Sequence, residues 1–145
     1  MQSRHLAANW LDIEGDEAYT RPLLAELKVP EALIEAALAH GALPRFDIEG
    51  LTAFLLLRIF DHEAEKRAAS ARELTRKIAI LLTPGLVITV HRFPTPELPR
   101  IFKPGEGVIC DATVPMRPAD IVATLFDRVL STYQDAILRS EDQFD

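Results

Sequence analysis

The segment that most constrains the fold spans residues 78–90, where two apolar stretches meet at Pro84-Gly85. β-Branched side chains, which favour a pleated and packed surface, recur on both sides of this dipeptide. Proline supplies the fixed φ and glycine the positive φ of a type II turn, so the pattern predicts an antiparallel strand pair over residues 75–90. Proline cannot continue a β-ladder, and the second strand is followed by Pro94, Pro96 and Pro99.

Three more strands are predicted from apolar runs elsewhere in the chain. The runs cover residues 6–13, 43–48 and 51–60, and Glu49-Gly50 is predicted to form a tight hairpin turn between the last two. These segments are too apolar to remain in water, at roughly 25 cal/mol per Å2 of apolar surface. We therefore expect burial of Leu55, Ile59, Val87 and Val90.

Prolines mark the starts of three predicted helices. Pro22 is placed in the first turn of one helix, and Pro30 opens the next, for which Gly41 is the expected C-terminal cap. Pro115 and Pro118 introduce the last helix, which carries the strongest amphipathic pattern. Its apolar residues follow the period of 3.6: Ile121, Val122, Leu125, Phe126, Val129, Leu130, Tyr133, Ile137 and Leu138.

Length and composition limit the class of protein. At 145 residues the chain has the size of a single domain, residues 1–145, that can bury about 68 to 70% of its unfolded surface. Hydrophobic residues make up 48% and charged residues 26%, with a net charge of -6, so the chain is globular and its acidic balance argues against nucleic-acid binding. Lone Cys110 excludes an internal disulfide. The longest uncharged run, residues 78–90, is shorter than the ~20 residues of a membrane-spanning helix.

The sequence contains no motif typical of a catalytic or cofactor-binding site. His91 has no serine or cysteine in a nucleophile motif to act with, so we predict that His91 and Arg92 end a strand with hydrogen-bonding side chains. The Asp-His-Glu run at residues 61–63 resembles a set of metal ligands, but adjacent residues on an extended chain point to opposite faces. Residues 105–107, Gly-Glu-Gly, lack the remainder of a phosphate-binding loop. We predict that the chain is not an enzyme.

Several segments occur in an order known from one family of proteins. They are residues 9–13 (Asn-Trp-Leu-Asp-Ile), residues 29–38, residues 43–46 (Leu-Pro-Arg-Phe), residues 54–59 (Phe-Leu-Leu-Leu-Arg-Ile), residues 85–92 (Gly-Leu-Val-Ile-Thr-Val-His-Arg) and residues 119–133. Together they resemble the cytosolic domain of CorA-type divalent metal ion transporters, over roughly residues 6–145. The resemblance implies an α/β fold in which a mixed β-sheet is flanked by helices on both sides.

The resemblance also implies a cellular role. The parent protein would be a homopentamer in the inner membrane that passes Mg2+, Co2+ or, in the related ZntB branch, Zn2+. This chain would lie on the cytoplasmic side, sense ions and bias the gate, with its final helix cut before the stalk and the transmembrane helices. We favour a fragment of a longer protein over a naturally shortened chain, and we expect the fragment to be soluble, as a monomer or weak dimer.

Two carboxylates are implied as ligands of a regulatory metal site between subunits, Glu35 and Asp127. The family usually has consecutive Glu and Asp in the short helix, whereas in this chain Ala36 follows Glu35, and the acid expected from the stalk lies beyond Asp145. Two carboxylates and water make a poor Mg2+ cage, so we expect Mg2+, Co2+ or Zn2+ to bind only weakly. The alternative interpretation is that both are solvated helix carboxylates.

Two other classes of protein remain open from the sequence. One is a small α/β enzyme, which would need a deep pocket with convergent polar groups. The other is a stand-alone interaction module, which the acidic balance allows. A reading frame that continued into a long helix and two apolar spans would exclude both.

Overall fold

A computed structural model of the chain describes residues 1–61, 75–92 and 112–144, and these residues form one mixed β-sheet between helices. The strands are β1 (Gln2–Ala7), β2 (Trp10–Glu14), β3 (Arg45–Glu49), β4 (Thr52–Phe60), β5 (Thr75–Thr83) and β6 (Leu86–His91). Their order across the sheet is β1-β2-β6-β5-β4-β3. β2 and β6 run parallel and every other neighbouring pair is antiparallel. The predicted mixed sheet is therefore confirmed.

Helices cover both faces of this sheet, as predicted. They are α1 (Glu17–Glu26), α2 (Glu31–Leu38) and α3 (Pro118–Phe144). Successive strand residues point to opposite faces, so each strand contributes to two apolar layers. One layer joins Leu24 of α1 and Leu33 of α2 to Phe54 and Leu81. The other layer joins α3 to the opposite face, through Ile121, Leu125, Trp10, Ile59, Ile80 and Val87.

The predicted strand at residues 6–13 is wrong, because this segment contains a hairpin. β1 and β2 are antiparallel and turn between Ala7 and Trp10, which face each other in the register. The side chain of Asn9 fixes this turn, since its Nδ2 donates to the carbonyl of Met116 at 2.7 Å and its Oδ1 accepts from the Met116 amide at 2.9 Å. The apolar run continues through the turn, and so hydropathy alone could not locate it.

Two details of the first helices also differ from the predictions. α1 begins at Glu17, after Asp16, whose carboxylate accepts from the Tyr19 amide at 2.9 Å, so Pro22 lies inside the helix rather than in its first turn. Pro30 directly precedes α2, as predicted. The residue that caps the C-terminal end of α2 is Ala39 in an extended conformation, and not Gly41.

The two predicted hairpins are present, and one is shifted. Thr83 pairs with Leu86 around Pro84-Gly85, and Gly85 has the expected positive φ of 83°. In the other hairpin Glu49 pairs with Thr52, so the turn is Gly50-Leu51 rather than Glu49-Gly50, with Gly50 at φ 60°. The residues expected in the core are buried, namely Ile59, Val87 and Val90, whereas Leu55 is only half-buried.

The predicted last helix is confirmed, and its contacts with β4 reach as far as Thr132 and Tyr133. Its 27 residues span about 40 Å, since each residue rises ~1.5 Å. Thr132 accepts from the Phe60 amide at 3.2 Å and the Tyr133 hydroxyl donates to the carbonyl of Arg58 at 2.8 Å. Apolar side chains remain exposed along the helix at Phe126, Leu130, Ile137 and Leu138. Within the described part of the chain, no helix is both long and apolar enough to cross a bilayer.

Replacing Thr20 by valine is expected to stabilise the fold by about 1 kcal/mol. Thr20 is fully buried in α1, and its hydroxyl has no hydrogen-bond partner among the described residues. Valine has the same shape and removes this desolvated polar atom. Urea unfolding measures the gain. Thr132→Val is the matched control, because it removes the bond to the Phe60 amide and should destabilise the fold; stabilisation by both variants would contradict the explanation.

Candidate functional site

A buried polar cluster links β2 to β6 beneath α3. The Trp10 indole Nε1 donates to the Thr89 hydroxyl at 3.1 Å, and that hydroxyl donates to Oδ1 of Asp12 at 2.6 Å. Nε2 of His91 lies 3.0 Å and 2.9 Å from the two carboxylate oxygens of Asp12. The Asp12 residue is only 1% exposed and His91 only 5%. These four residues form a continuous hydrogen-bonded chain inside the domain.

The parallel register explains why these residues meet. Asp12 lies beside Thr89 in the β2–β6 pair, and residues two apart on a strand share a face. Trp10 and Asp12 therefore project to the same side as Thr89 and His91. The prediction that His91 and Arg92 end a strand with hydrogen-bonding side chains is confirmed, because β6 ends at His91 and both side chains are bonded. Asp12 was not singled out, since one buried carboxylate gives no local signal.

Glu35 lies on the exposed surface of α2, where it is already bound to a cation. The Arg21 guanidinium donates to Glu35 at 2.6 Å, to Glu31 at 3.0 Å and to Glu17 at 2.8 Å. The hydrogen bond and the charge of Arg21 lower the pKa of the Glu35 carboxyl below its usual range. Arg21 thus holds three carboxylates around one positive charge. The spacing of Glu17 and Arg21, four residues apart on a helix, was the only local sign of this arrangement.

Asp127 is exposed on α3, on the other side of the sheet from Glu35. Packed layers lie ~10 Å apart, so helices on opposite faces of a sheet are about 20 Å apart. One chain therefore does not bring Glu35 and Asp127 together.

Within residues 1–61, 75–92 and 112–144, no three histidine, cysteine or acidic side chains form a group that could hold a metal ion. Of the Asp-His-Glu run only Asp61 is described, and it pairs with Arg76 at 2.6 Å. Residues 62–63, residues 105–107 and Cys110 lie outside the described residues.

Three cations meet at the C-terminal end of α2. The Lys77 ammonium donates to the carbonyl of Ala39. Nη2 of Arg92 donates to the carbonyl of Leu38 at 2.9 Å, and Nη1 of Arg58 donates to the carbonyl of Ala42 at 2.9 Å. The last carbonyls of a helix carry partial negative charge and lack partners within the helix, so cations are favourable there. These side chains provide the cap that we assigned to Gly41.

The half-buried Lys77 gives the domain a distinct pH dependence. Burial lowers the pKa of Lys77 from 10.5 to about 8, and repulsion by Arg92 and Arg58 contributes. Between these two values the unfolded chain binds the proton and the folded chain does not, so this group makes the free energy of unfolding rise with pH across that window. We expect a smaller rise for Lys77→Met between pH 8 and 10 in urea unfolding. An equal rise in the free energy of unfolding of the unmodified chain and of Lys77→Met would show that Lys77 is not the group responsible.

Comparisons with known proteins agree with this architecture. A family model described as CorA-like Mg2+ transporter protein matches residues 6–145. The ZntB cytoplasmic domain from Vibrio parahaemolyticus RIMD 2210633 gives a TM-score of 0.68 at 20% identity, covering 94% of this chain and 54% of that chain. The soluble domain of CorA from Methanocaldococcus jannaschii gives a TM-score of 0.65 at 12% identity, covering 92% of this chain and 51% of that chain.

The complete CorA magnesium transporter from Methanocaldococcus jannaschii gives a TM-score of 0.64 at 12% identity, covering 92% of this chain and 40% of that chain. This chain therefore spans between 40% and 54% of the length of these three structures. At such low identities the similarity to the solved structures concerns the fold alone. A comparison with curated proteins found no significant match.

Proposed function

Because this chain belongs to the CorA-like Mg2+ transporter family, we propose that it is the cytosolic regulatory domain of a divalent cation transporter. The observation that carries the proposal is the family match over residues 6–145, together with helices on both faces of a six-stranded mixed sheet. The full protein would be a homopentamer in the inner membrane, with this domain on the cytoplasmic side, and its reading frame would continue past Asp145 into the stalk and membrane helices. It would carry Mg2+, Co2+ or Zn2+ and would not be an enzyme.

Glu35 and Asp127 would act between neighbouring subunits. A closed ring is built by repeating one contact between two different surfaces of the subunit. The α2 side, with Glu35, and the α3 side, with Asp127, are two such surfaces. A hard cation between two carboxylates would keep several waters and bind weakly. Its occupancy would bias the gate only if the open and closed states bind it unequally.

The exposed apolar side chains of α3 support a role in assembly. Leu130, Ile137 and Leu138 are each 58% exposed, on a helix that continues beyond the bonds of Thr132 and Tyr133 to β4. In the full protein, neighbouring stalk helices would cover these side chains and connect the domain to the gate. Without those helices we expect this chain to be a monomer or weak dimer.

Ion flux through the full-length gene product tests the proposal. The protein is reconstituted into vesicles that contain an ion-sensitive dye, and Mg2+, Co2+ and Zn2+ are added separately. We expect flux of at least one ion, and we expect Glu35→Ala and Asp127→Ala to shift the cation concentration that closes the channel, with maximal flux retained. Asp135→Ala, at an exposed acid of the same helix, is the control. Absence of flux with all three ions would contradict the transporter assignment.

A further inference from the structure

The outer edge of β3 is an open sheet edge that carries two exposed apolar side chains. β3 is the last strand in the sheet order, and no described strand pairs with its outer side. Phe46 is 63% exposed and Ile48 59%, on a strand of five residues. Proteins normally protect such edges, because an open edge with apolar side chains is a template for pairing with another chain.

The backbone of Phe46 and Ile48 faces this edge. In an antiparallel ladder, alternate residues exchange hydrogen bonds with the neighbouring strand, and the residues between them turn their amides outward. The Ile48 amide donates at 2.9 Å to the carboxylate of Asp47, the adjacent residue, and so it is one of the outward amides. Phe46, two residues earlier, has the same orientation. The edge thus offers backbone donors and acceptors beside two exposed apolar side chains.

The charges along β3 are complementary to themselves. Arg45 and Asp47 flank Phe46, and within one chain Arg45 Nη2 lies 2.8 Å from Asp47 Oδ2. If a second β3 strand lies antiparallel with Phe46 opposite Phe46, Arg45 of each copy faces Asp47 of the other. Ile48 then faces Pro44, whose carbonyl accepts a hydrogen bond although proline has no amide to donate. Opposite charges and aromatic pairs at directly facing positions both favour strand pairing.

We propose that the outer edge of β3 is a docking site for the same edge of a second copy of this chain, with a two-fold axis at Phe46. The alternative register, centred on Asp47, places two like charges face to face at the closest strand separation, which disfavours it. A two-fold contact is not part of a five-fold ring, so this contact joins chains of separate assemblies. The inference is independent of the transport function proposed above.

The contact is weak. Five residues on each side bury much less than the ~1,200 Å2 of a stable interface. Pairing also replaces bonds that exist already, because the Ile48 amide leaves the Asp47 carboxylate for a carbonyl of the second copy. The contact becomes populated at high concentration, or when several such contacts form between the same two assemblies.

Disulfide trapping tests both the contact and its register. In a Cys110→Ser background, Phe46→Cys places two thiols at a facing pair whose Cα atoms are ~5.5 Å apart, within the range of a disulfide. Ile48→Cys is the matched control: it is equally exposed, but its two copies would lie about 13 Å apart along the strands. We expect oxidation to cross-link Phe46→Cys at least about tenfold faster. Equal rates, or faster cross-linking of Asp47→Cys, would overturn the proposed register.

Charge exchange tests the cross-strand pairs without cysteine. Sedimentation equilibrium is expected to show that Arg45→Asp and Asp47→Arg each weaken the dimer about tenfold or more, and that the double variant restores it. Both substitutions are at the protein surface, and circular dichroism checks that each of the three variants keeps the fold. Failure of the double variant to restore the dimer would overturn the proposal. A chain that stays monomeric at every concentration tested would do the same.

Discussion

Replacing Asp12 by alanine is expected to lower the free energy of unfolding by about 3–5 kcal/mol. The carboxylate accepts from the Thr89 hydroxyl and contacts Nε2 of His91, with both partners buried. Alanine removes both interactions and deprives the buried Thr89 hydroxyl and His91 ring of the Asp12 carboxylate, which costs more than the bonds themselves contribute. Trp10, the only tryptophan, is buried and bonded to Thr89, so its fluorescence reports the unfolding transition.

Two further variants separate this network from general effects of substitution. Asp12→Asn keeps one acceptor oxygen and should lose less stability than Asp12→Ala. Asp127→Ala removes an exposed helix carboxylate and should change stability by no more than about 0.5 kcal/mol. Removing the partner of a buried polar group usually costs at least about 1 kcal/mol, so a smaller loss of stability in Asp12→Ala would contradict a stabilising role of the buried cluster.

Replacing Arg21 by methionine is expected to increase the affinity for divalent cations by about tenfold or more. The guanidinium occupies the centre of Glu17, Glu31 and Glu35, with all three contacts at 3.0 Å or less. Methionine removes the positive charge and leaves three carboxylates that repel one another, which a hard cation with oxygen ligands relieves. It also removes the cause of the lowered Glu35 pKa, which should return towards its usual value.

Calorimetric titration with Mg2+ and Mn2+ measures this change. Arg45→Met is the control, because among the described residues Arg45 pairs with one carboxylate, that of Asp47. Adding Glu35→Ala to the Arg21→Met variant should abolish most of the gain. A tight, micromolar site in the unmodified chain would contradict the prediction of weak metal binding, and an unchanged affinity in Arg21→Met would show that Arg21 does not compete with the ion.

Local patterns in the sequence determined the elements with strong periodicity. The Pro84-Gly85 hairpin and the last helix followed from turn chemistry and from the 3.6-residue apolar repeat, and the structure confirms both. The apolar run at residues 6–13 led to a wrong prediction of one strand, because hydropathy does not distinguish a continuous strand from two strands joined at Ala8 and Asn9. Element types were therefore predictable, whereas turns that depend on distant partners were not.

Contacts between distant residues were decided by the tertiary structure alone. The parallel β2–β6 register brings Asp12 to Thr89 and His91, which lie more than 70 residues away in the chain. Likewise, Lys77 and Arg92 cap α2 from β5 and from the end of β6, although Gly41 was the nearer candidate. These pairings depend on strand order, and strand order leaves no trace in local composition.

The candidate metal residues show the same division. Their identity as exposed helix carboxylates could be read from the sequence, through the resemblance of two helices to a known family. The structure decided that Glu35 is bound by Arg21 and that Asp127 lies across the sheet from it. Periodicity determines which side of a helix is apolar, because that depends on residues a few positions apart. The face of the sheet that a helix covers depends on the path of the whole chain, and this only the folded structure shows.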